Sequence, residues 1–155
     1  MNFKGTQIAI DLYGCLENKV TKPDDVKKIL QEATETFLME PKAYYYNEDN
    51  DEEKYVYSYI IPCKKGHLNV VVYPKIGYVG IDVFTCNEMA KPEKLAIFLR
   101  NQFSPDKAQT TFLERGNFGS KNDLKPRKKT LVKTSRRAKT ARDHILKLLL
   151  KPKSM

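Results

Sequence analysis

The chain has 155 residues, 41% of them hydrophobic, and a formal net charge of +9; this composition fits one compact domain with a tail and excludes a wholly disordered chain. No run approaches the ~20 apolar residues of a membrane helix, and Asp11 interrupts the N-terminal stretch before the apolar core of a secretory signal develops. Because the three cysteines (Cys15, Cys63, Cys86) are scattered and the two histidines lie far apart, we expect reduced thiols, no metal site and a cytoplasmic location.

The first predicted elements are a strand and a helix. The stretch TQIAIDLYGC alternates apolar and polar residues, which is typical of a strand that ends near Gly14. A helix is expected next, with Thr21 as its cap and Pro23 in its first turn. Apolar residues then recur at helical spacing as far as Leu38, and Pro41 is expected to end the helix.

The middle of the chain predicts four strands joined mainly by hairpins. They cover Lys42–Asn47, Tyr55–Cys63, Leu68–Tyr73 and Tyr78–Cys86. We expect the acidic residues 47–53 to form a solvated hairpin turn. Since glycine can adopt a positive φ, Gly66 predicts a tight hairpin after the second of these strands, and Pro74–Gly77 predicts another turn.

A second helix and a final strand complete the predicted domain. Apolar spacing indicates a helix over Pro92–Phe103, and Gln109–Glu114 has the composition of a short strand. The order is therefore β-α-β-β-β-β-α-β. Hairpin connections imply an antiparallel sheet with both helices on one face, which is a two-layer α+β sandwich.

A change in charge marks the C-terminal part of the chain. Residues 1–115 carry 15 Lys and Arg against 17 Asp and Glu, whereas residues 116–155 carry 13 against two. We therefore divide the chain into a domain over residues 1–116 and a basic segment over residues 117–155. Within the basic segment, a linker is predicted over residues 117–129 and an amphipathic helix over residues 135–150. Candidate contacts to nucleic acid or an acidic partner are Arg127, Lys128, Lys129, Lys133, Arg136, Arg137, Lys139 and Arg142. The alternatives are a solvated tail, a helix docked on the domain or on a second subunit, and a helix that lies on a membrane surface.

The stretch that begins at Gly66, GHLNVVVYPKIGYVGIDVFTC, carries the most specific signal in the chain. It resembles the signature of the bacterial and archaeal S-adenosylmethionine decarboxylase family. The matching positions are His67, Tyr73, Pro74, Gly77, Tyr78 and the run Asp82–Cys86. With the opening IDLYGC and the closing Glu114-Arg115-Gly116, the likeness covers about residues 5–116. The resemblance implies the α+β fold derived above and a dimer with sites near the subunit interface.

The resemblance also implies a chemistry for which one position is missing here. Family enzymes cut their own chain between a Glu and a Ser, and the Ser becomes the pyruvoyl group that serves as the electron sink for decarboxylation. Lys65 and Gly66 stand at those positions, and glycine has no hydroxyl to attack the preceding carbonyl. A second family histidine falls on Val71, and an early one falls on Gln7. We therefore expect no cofactor, because pyruvoyl cannot form at Gly66.

Other positions of the implied site are retained. Ser58 stands where the family has a processing serine, Cys86 where it has a proton-donating cysteine, and His67 matches directly. We take these three as candidate ligand-binding residues. Each also has a plain structural interpretation, as a strand hydroxyl, a small buried hydrophobe and a turn residue. Cys63 is an alternative pyruvoyl precursor, but its use would shift the group by roughly 10 Å along a strand.

Three functions are weighed on these observations. The first is a catalytically inactive family member, a pseudoenzyme, that binds S-adenosylmethionine or a related adenosyl ligand, or associates as a homodimer or hetero-oligomer and regulates an active homologue. The second is a binding module whose basic segment contacts nucleic acid or an acidic protein. The third is an active decarboxylase of polyamine (spermidine) biosynthesis, against which Lys65, Gly66 and Val71 argue. We favour the first, with which the second can coexist.

Overall fold

The structure, a computed structural model, describes residues 4–51 and 54–116. The basic segment, with its predicted helix and its candidate contact residues, lies outside the described residues. The predicted domain boundary at residue 116 therefore stays a prediction.

Six strands and three helices form the described part of the chain. The strands are β1 (Gly5–Tyr13), β2 (Tyr45–Asp51), β3 (Lys54–Cys63), β4 (Gly66–Tyr73), β5 (Tyr78–Thr85) and β6 (Lys107–Arg115). The helices are α1 (Glu17–Val20), α2 (Pro23–Thr36) and α3 (Pro92–Phe103). Single 3₁₀ turns cover Pro74–Ile76 and Glu88–Ala90.

The strands form one antiparallel sheet in the order β2-β3-β4-β5-β1-β6. β1 lies between β5 and β6, so that Gly5 pairs with Arg115 at one end and Tyr13 pairs with Lys107 at the other. The predicted two-layer α+β architecture is thereby confirmed. The register brings three distant parts of the sequence, the start of β1, the end of β5 and the β3–β4 turn, to the same end of the sheet.

One face of the sheet carries the core. Alternate strand residues are buried against the helices, as strand geometry requires. They include Ile8, Ile10, Leu12, Leu68, Val70, Val72, Val79, Ile81 and Val83, which meet Val26, Leu30, Leu95, Leu99 and Phe103 of the helices. Two buried tyrosines fasten the helices to the sheet, because the Tyr57 hydroxyl donates to the Val20 carbonyl and the Tyr59 hydroxyl donates to the Pro23 carbonyl, at 2.9 Å in the second case. No helix among residues 4–51 and 54–116 covers the opposite, outer face.

The first predicted helix is shorter than expected. Thr21 does not cap α2; its hydroxyl donates to the Glu17 carbonyl and closes the one-turn helix α1, which the sequence did not indicate. α2 ends at Thr36 rather than at Pro41, because the chain reverses through left-handed conformations at Leu38 (φ 51°) and Glu40 (φ 52°). Leu38 is consequently 52% exposed instead of buried.

The acidic stretch is also different from the prediction. β2 extends to Asp51, which pairs with Lys54, so that the residues expected to form a loop are largely strand. β2 is the edge of the sheet, and charged side chains on an exposed edge strand are a common protection against aggregation. The second predicted helix, by contrast, coincides with α3 at both ends.

Candidate functional site

The position of cleavage implied by the resemblance lies in the tight turn between β3 and β4. Cys63 pairs with Gly66, and only Lys64 and Lys65 separate them. The expected positive φ at Gly66 was wrong, since this residue belongs to β4 and pairs with Thr85 of β5 as well. Glycine is needed here for space: a Cβ at this position would overlap the main-chain oxygen of Phe84 and lie 2.8 Å from its carbonyl carbon.

Two other segments hold this turn. The amide of Cys86 donates to the Lys65 carbonyl at 2.9 Å, which ties the turn to the end of β5. On the other side, Lys64 bonds to Glu40 twice, from its amide to the carbonyl (3.1 Å) and from its ammonium to the carboxylate (2.9 Å). The Asn87 side chain links the two supports, because it donates to the Leu38 carbonyl at 2.8 Å. The turn is therefore fixed by polar contacts from both sides.

An open cleft of about 750 Å³ lies beside the turn. It is lined by Lys4, Lys64, Lys65, Gly66, Phe84, Cys86 and Glu88. The lining comes from the start of β1, the β3–β4 turn, and β5 with the 3₁₀ turn that follows it. Three lysines face one glutamate across it, so the cleft carries a net positive charge.

The structure brings some of the predicted site residues together and separates others. Lys65, Gly66 and Cys86 line the cleft. His67 lies next to it, with its ring 5.8 Å from that of Phe84. Ser58 is distant, because it pairs with Val71, which is four residues along β4 from His67 and hence about 13 Å away.

Several residues of the cleft were missed by the sequence analysis. Lys4, Phe84 and Glu88 contribute to the wall, and Arg115 lies with its guanidinium 5.2 Å from the centre of the Phe84 ring. Arg115 also donates to the Gln7 side-chain oxygen at 3.0 Å. Only the strand order β5-β1-β6 places these residues side by side, and the sequence pattern does not specify that order.

Hydrogen bonding and burial shift the pKa values of two side chains near the cleft, Glu40 and Cys63. The hydrogen bond from Lys64, assisted by the charges of Lys42 and Lys65, lowers the pKa of Glu40. Burial raises the pKa of Cys63 to about 11, so this thiol stays protonated at neutral pH. Within residues 4–51 and 54–116, no group of three or more His, Cys, Asp or Glu side chains is arranged to hold a metal ion.

The outer face of the sheet carries a second, smaller depression of about 330 Å³. It holds Asp11, which accepts a hydrogen bond from the Tyr78 hydroxyl at 2.6 Å, together with Asn69 and Asp82. The side-chain oxygen of Asn69 is buried without a hydrogen-bond partner among the described residues. Exposed apolar side chains surround this depression on the same face: Tyr13, Ile60, Val71 and Leu113.

Comparison with known proteins identifies the family of this chain. The profile of the family described as S-adenosylmethionine decarboxylase matches residues 6–116. The S-adenosylmethionine decarboxylase proenzyme of Pyrococcus furiosus is 28% identical over 116 residues, which are 75% of this chain and 81% of the relative. That of Archaeoglobus fulgidus is 26% identical over 112 residues, which are 72% of this chain and 97% of the relative.

A solved structure has the same fold. The crystal structure of the adenosylmethionine decarboxylase from Aquifex aeolicus superposes with a TM-score of 0.66 at 21% identity, over 75% of this chain and 93% of that one. No helix in the described part of this chain is long and apolar enough to cross a membrane. The profile match covers most of the chain and agrees with the signature at Asp82–Cys86; this chain belongs to the S-adenosylmethionine decarboxylase family.

Proposed function

We propose that this chain is a non-catalytic member of its family, which stays a single uncleaved polypeptide and acts by binding a ligand or a protein partner. The observation that carries the proposal is Gly66. By its resemblance to the family signature, this residue stands in the place of the serine that supplies the pyruvoyl group, and it has no hydroxyl to attack the Lys65 carbonyl.

The surroundings of Gly66 support the same conclusion. A side chain at this position would collide with the main chain at Phe84, so a serine does not fit the observed backbone. The Lys65 carbonyl accepts the amide of Cys86, so a main-chain bond just beyond the ends of the strands holds it in place. The relatives are proenzymes by name. At the position that the resemblance gives to their processing serine, this chain has a glycine.

The other processing positions argue in the same direction. Ser58 pairs with Val71, where the family signature has a histidine, and an aliphatic side chain cannot transfer a proton. The alternative precursor Cys63 is a protonated thiol whose sulfur donates to the Ile61 carbonyl at 3.5 Å. Thiols react as thiolates, so a pKa of about 11 leaves Cys63 a poor nucleophile at neutral pH.

The exposed apolar residues of the outer face support association with a partner. Ile60 is 52% exposed and Leu113 is 56% exposed, and both lie on the outer face, which none of the described helices covers. Covering such a face is favourable by about 25 cal/mol per Å² of apolar area. We expect a homodimer, or a hetero-oligomer with a homologue. Light scattering should show a dimer that Ile60→Lys and Leu113→Lys weaken, whereas Lys94→Glu, at an exposed position of α3 in the helical layer, leaves it intact.

The decisive test is the intact mass of the purified protein, followed by an assay of CO₂ release from carboxyl-labelled S-adenosylmethionine. We expect one 17.9 kDa chain and no release above background. The Pyrococcus furiosus relative, expressed in the same host, is the control for both steps. Two chains, with a blocked N-terminus on the smaller one, would refute the proposal. We expect a Gly66→Ser variant to remain uncleaved as well, since its side chain has no room.

A second candidate function uses the basic segment. Residues 116–155 carry 13 Lys and Arg against two acids, which favours contact with nucleic acid or an acidic protein. Binding through phosphates should weaken steeply with salt, with a slope of about −0.9 per phosphate neutralised. Deletion of residues 117–155 should abolish this binding; equal binding by the truncated chain would exclude it.

A further inference from the structure

The cleft beside the β3–β4 turn has a charge that does not suit a cationic ligand. Its wall holds Lys4, Lys64 and Lys65 against Glu88. Lys64 is neutralised by Glu40, at 2.9 Å between the ammonium and the carboxylate. Among the described residues, Lys4 and Lys65 take part in no ion pair, so two ammonium groups remain available to a ligand.

The lowered pKa of Glu40 is a second sign of this positive potential. The bond from Lys64 contributes most, but the charges of Lys42 and Lys65 lower the pKa further. Lys42 does not line the cleft; it belongs to the segment that holds the turn, since its amide donates to the Pro62 carbonyl at 2.8 Å. Positive charge therefore surrounds the turn on the cleft side and on the opposite side.

The rest of the cleft wall consists of exposed main chain at a glycine and of an aromatic ring. Gly66 leaves the cleft floor without a side chain, and the Phe84 ring forms an apolar side. Arg115 lies over that ring and is held by Gln7, which adds a further cation next to the cleft. Such an arrangement of ammonium groups around an open floor is suited to a phosphate, which lysine binds as a point charge.

S-adenosylmethionine carries a sulfonium cation, and its decarboxylated form has lost the only negative group. Either compound would place its positive sulfur near ammonium groups, and like charges at short range oppose binding. We propose that this cleft binds a small phosphate-bearing ligand and discriminates against sulfonium compounds. The inference rests on the proposed non-catalytic function, because a pyruvoyl enzyme would have to accept the sulfonium substrate at this place.

The basic segment would bind phosphates as well, so the test needs a signal from the cleft itself. Cys86 provides one, because it lines the cleft and is partly exposed. Cys15 is only 6% exposed, and burial, the largest cause, raises its pKa to about 11. Cys15 should therefore stay unlabelled while the protein is folded, so that labelling of Cys15 would reveal unfolding rather than ligand binding.

The experiment follows alkylation of Cys86 by iodoacetamide in the full-length protein, with peptide mass spectrometry. The four probes are adenosine diphosphate, inorganic pyrophosphate, the uncharged methylthioadenosine, and S-adenosylmethionine. We expect adenosine diphosphate to slow labelling of Cys86 at least about fivefold at saturation, and the uncharged and sulfonium probes to leave it unchanged. Protection by pyrophosphate as well would mean that the phosphate groups suffice for binding. Protection by adenosine diphosphate alone would mean that the cleft recognises the nucleoside in addition to the phosphates.

Charge-reversed variants test the lysines. Lys65→Glu should weaken the apparent affinity for adenosine diphosphate by roughly tenfold or more, and Lys4→Glu should act in the same direction. Lys107→Glu is the matched control, because it makes the same change of charge on an exposed residue at the far end of β6. Its affinity should remain that of the unaltered protein.

Three results would overturn the inference. They are equal protection by S-adenosylmethionine, no protection by either phosphate compound, and equal weakening by Lys107→Glu and Lys65→Glu. Thermal melting checks that each variant is folded, which we expect because the substituted side chains are exposed. A cleaved chain refutes the proposed function, whereas an uncleaved chain without protection refutes only the phosphate site.

Discussion

The two turns that flank β4 each contain a glycine, but they need it for different reasons. Gly77, after the 3₁₀ turn at Pro74–Ile76, has φ 62°, a conformation that residues with a side chain seldom adopt. Gly66 has no such φ, and its hydrogen atoms instead leave room for the main chain of Phe84. A backbone conformation is a local property, whereas the space at Gly66 is set by a strand eighteen residues further along the chain.

The supports of the two turns differ in the same way. Gly77 accepts the amide of Cys15 at 2.9 Å, and the ring of Tyr78 beside it lies 5.4 Å from Tyr13 and 6.0 Å from Tyr73. The turn at the cleft is held by exposed polar contacts instead. Aromatic packing is insensitive to salt, but the contacts of a charged, open turn respond to pH and to ligands. The cleft therefore lies at the more easily perturbed of the two turns.

Alanine at the two glycines should give the largest effect and separate the two requirements. We expect Gly66→Ala to lower the free energy of unfolding by about 3 kcal/mol, because the main chain at Phe84 has to move. Gly77→Ala should cost about 1–2 kcal/mol for its left-handed conformation. Urea denaturation at neutral pH measures both.

Asparagine at the same positions is the control. Asparagine tolerates a positive φ, so Gly77→Asn should recover part of the loss. Gly66→Asn should recover none, since the obstacle there is space. Equal recovery at both positions would show that Gly66 is not limited by the approach of Phe84.

Asn87 tests whether the turn at the cleft depends on remote polar contacts. Its side chain donates to the Leu38 carbonyl and accepts the Met89 amide at 3.2 Å. We expect Asn87→Ala to cost about 2 kcal/mol for the two bonds. Asn87→Asp keeps the acceptor but places a carboxylate oxygen where the amide donated to the Leu38 carbonyl, so its cost should be at least half as large. An unchanged urea midpoint for both variants would mean that the main chain alone holds the segment.

Tyr78 gives the corresponding test at the other turn. Tyr78→Phe removes the bond to Asp11 and keeps the rings in contact, so we expect a loss of about 1 kcal/mol. The bond to Asp11, with burial, raises the pKa of Tyr78 to about 12. The hydroxyl therefore stabilises the fold below the ordinary pKa of 10.0, and this contribution disappears as the pH rises through about 12. The difference in stability between the two proteins should be smaller at about pH 11 than at pH 8, and it should vanish only above about pH 12.

The fold was largely predictable because its signals are local. Alternation and turn residues located the strands, and the apolar spacing of α3 gave both of its ends. The predictions are wrong where a contact with a distant part of the chain determines the local conformation. Leu38 belongs to the helical pattern but reverses the chain, because the following segment bonds to the β3–β4 turn. The acidic part of β2 is strand because β3 is there to pair with it.

The candidate site was less predictable for the same reason. Lys65, Gly66 and Cys86 were found through the resemblance, which records positions along the chain. Lys4 and Phe84 join them only through the pairing of β1 with β5, so no spacing in the sequence indicates the cleft. The resemblance also grouped Ser58 with the site; the β3–β4 register pairs it with Val71, the position of the family's second histidine, and its role stays a prediction.

Glu40 should give the smallest effect and the one most specific to the turn at the cleft. Both members of the pair are about half exposed, so the contact with Lys64 contributes little to stability at neutral pH. The bond from Lys64 lowers the pKa of Glu40 below its ordinary 4.5 in the folded protein. The contribution is therefore complete above about pH 4.5 and disappears as the pH falls through the lower, folded pKa.

Glu40→Gln should consequently be slightly less stable than the unaltered protein at neutral pH, and this difference should shrink as the pH falls below 4.5. Lys64→Gln should reproduce this difference, and the double variant should add nothing, because both changes remove one contact. High salt should reduce the difference at neutral pH by screening the pair. Additive losses in the double variant would mean that the two side chains act independently and that the main-chain bond between Lys64 and Glu40 holds the turn. The turn at the cleft would then be no more sensitive to pH than the turn at Gly77.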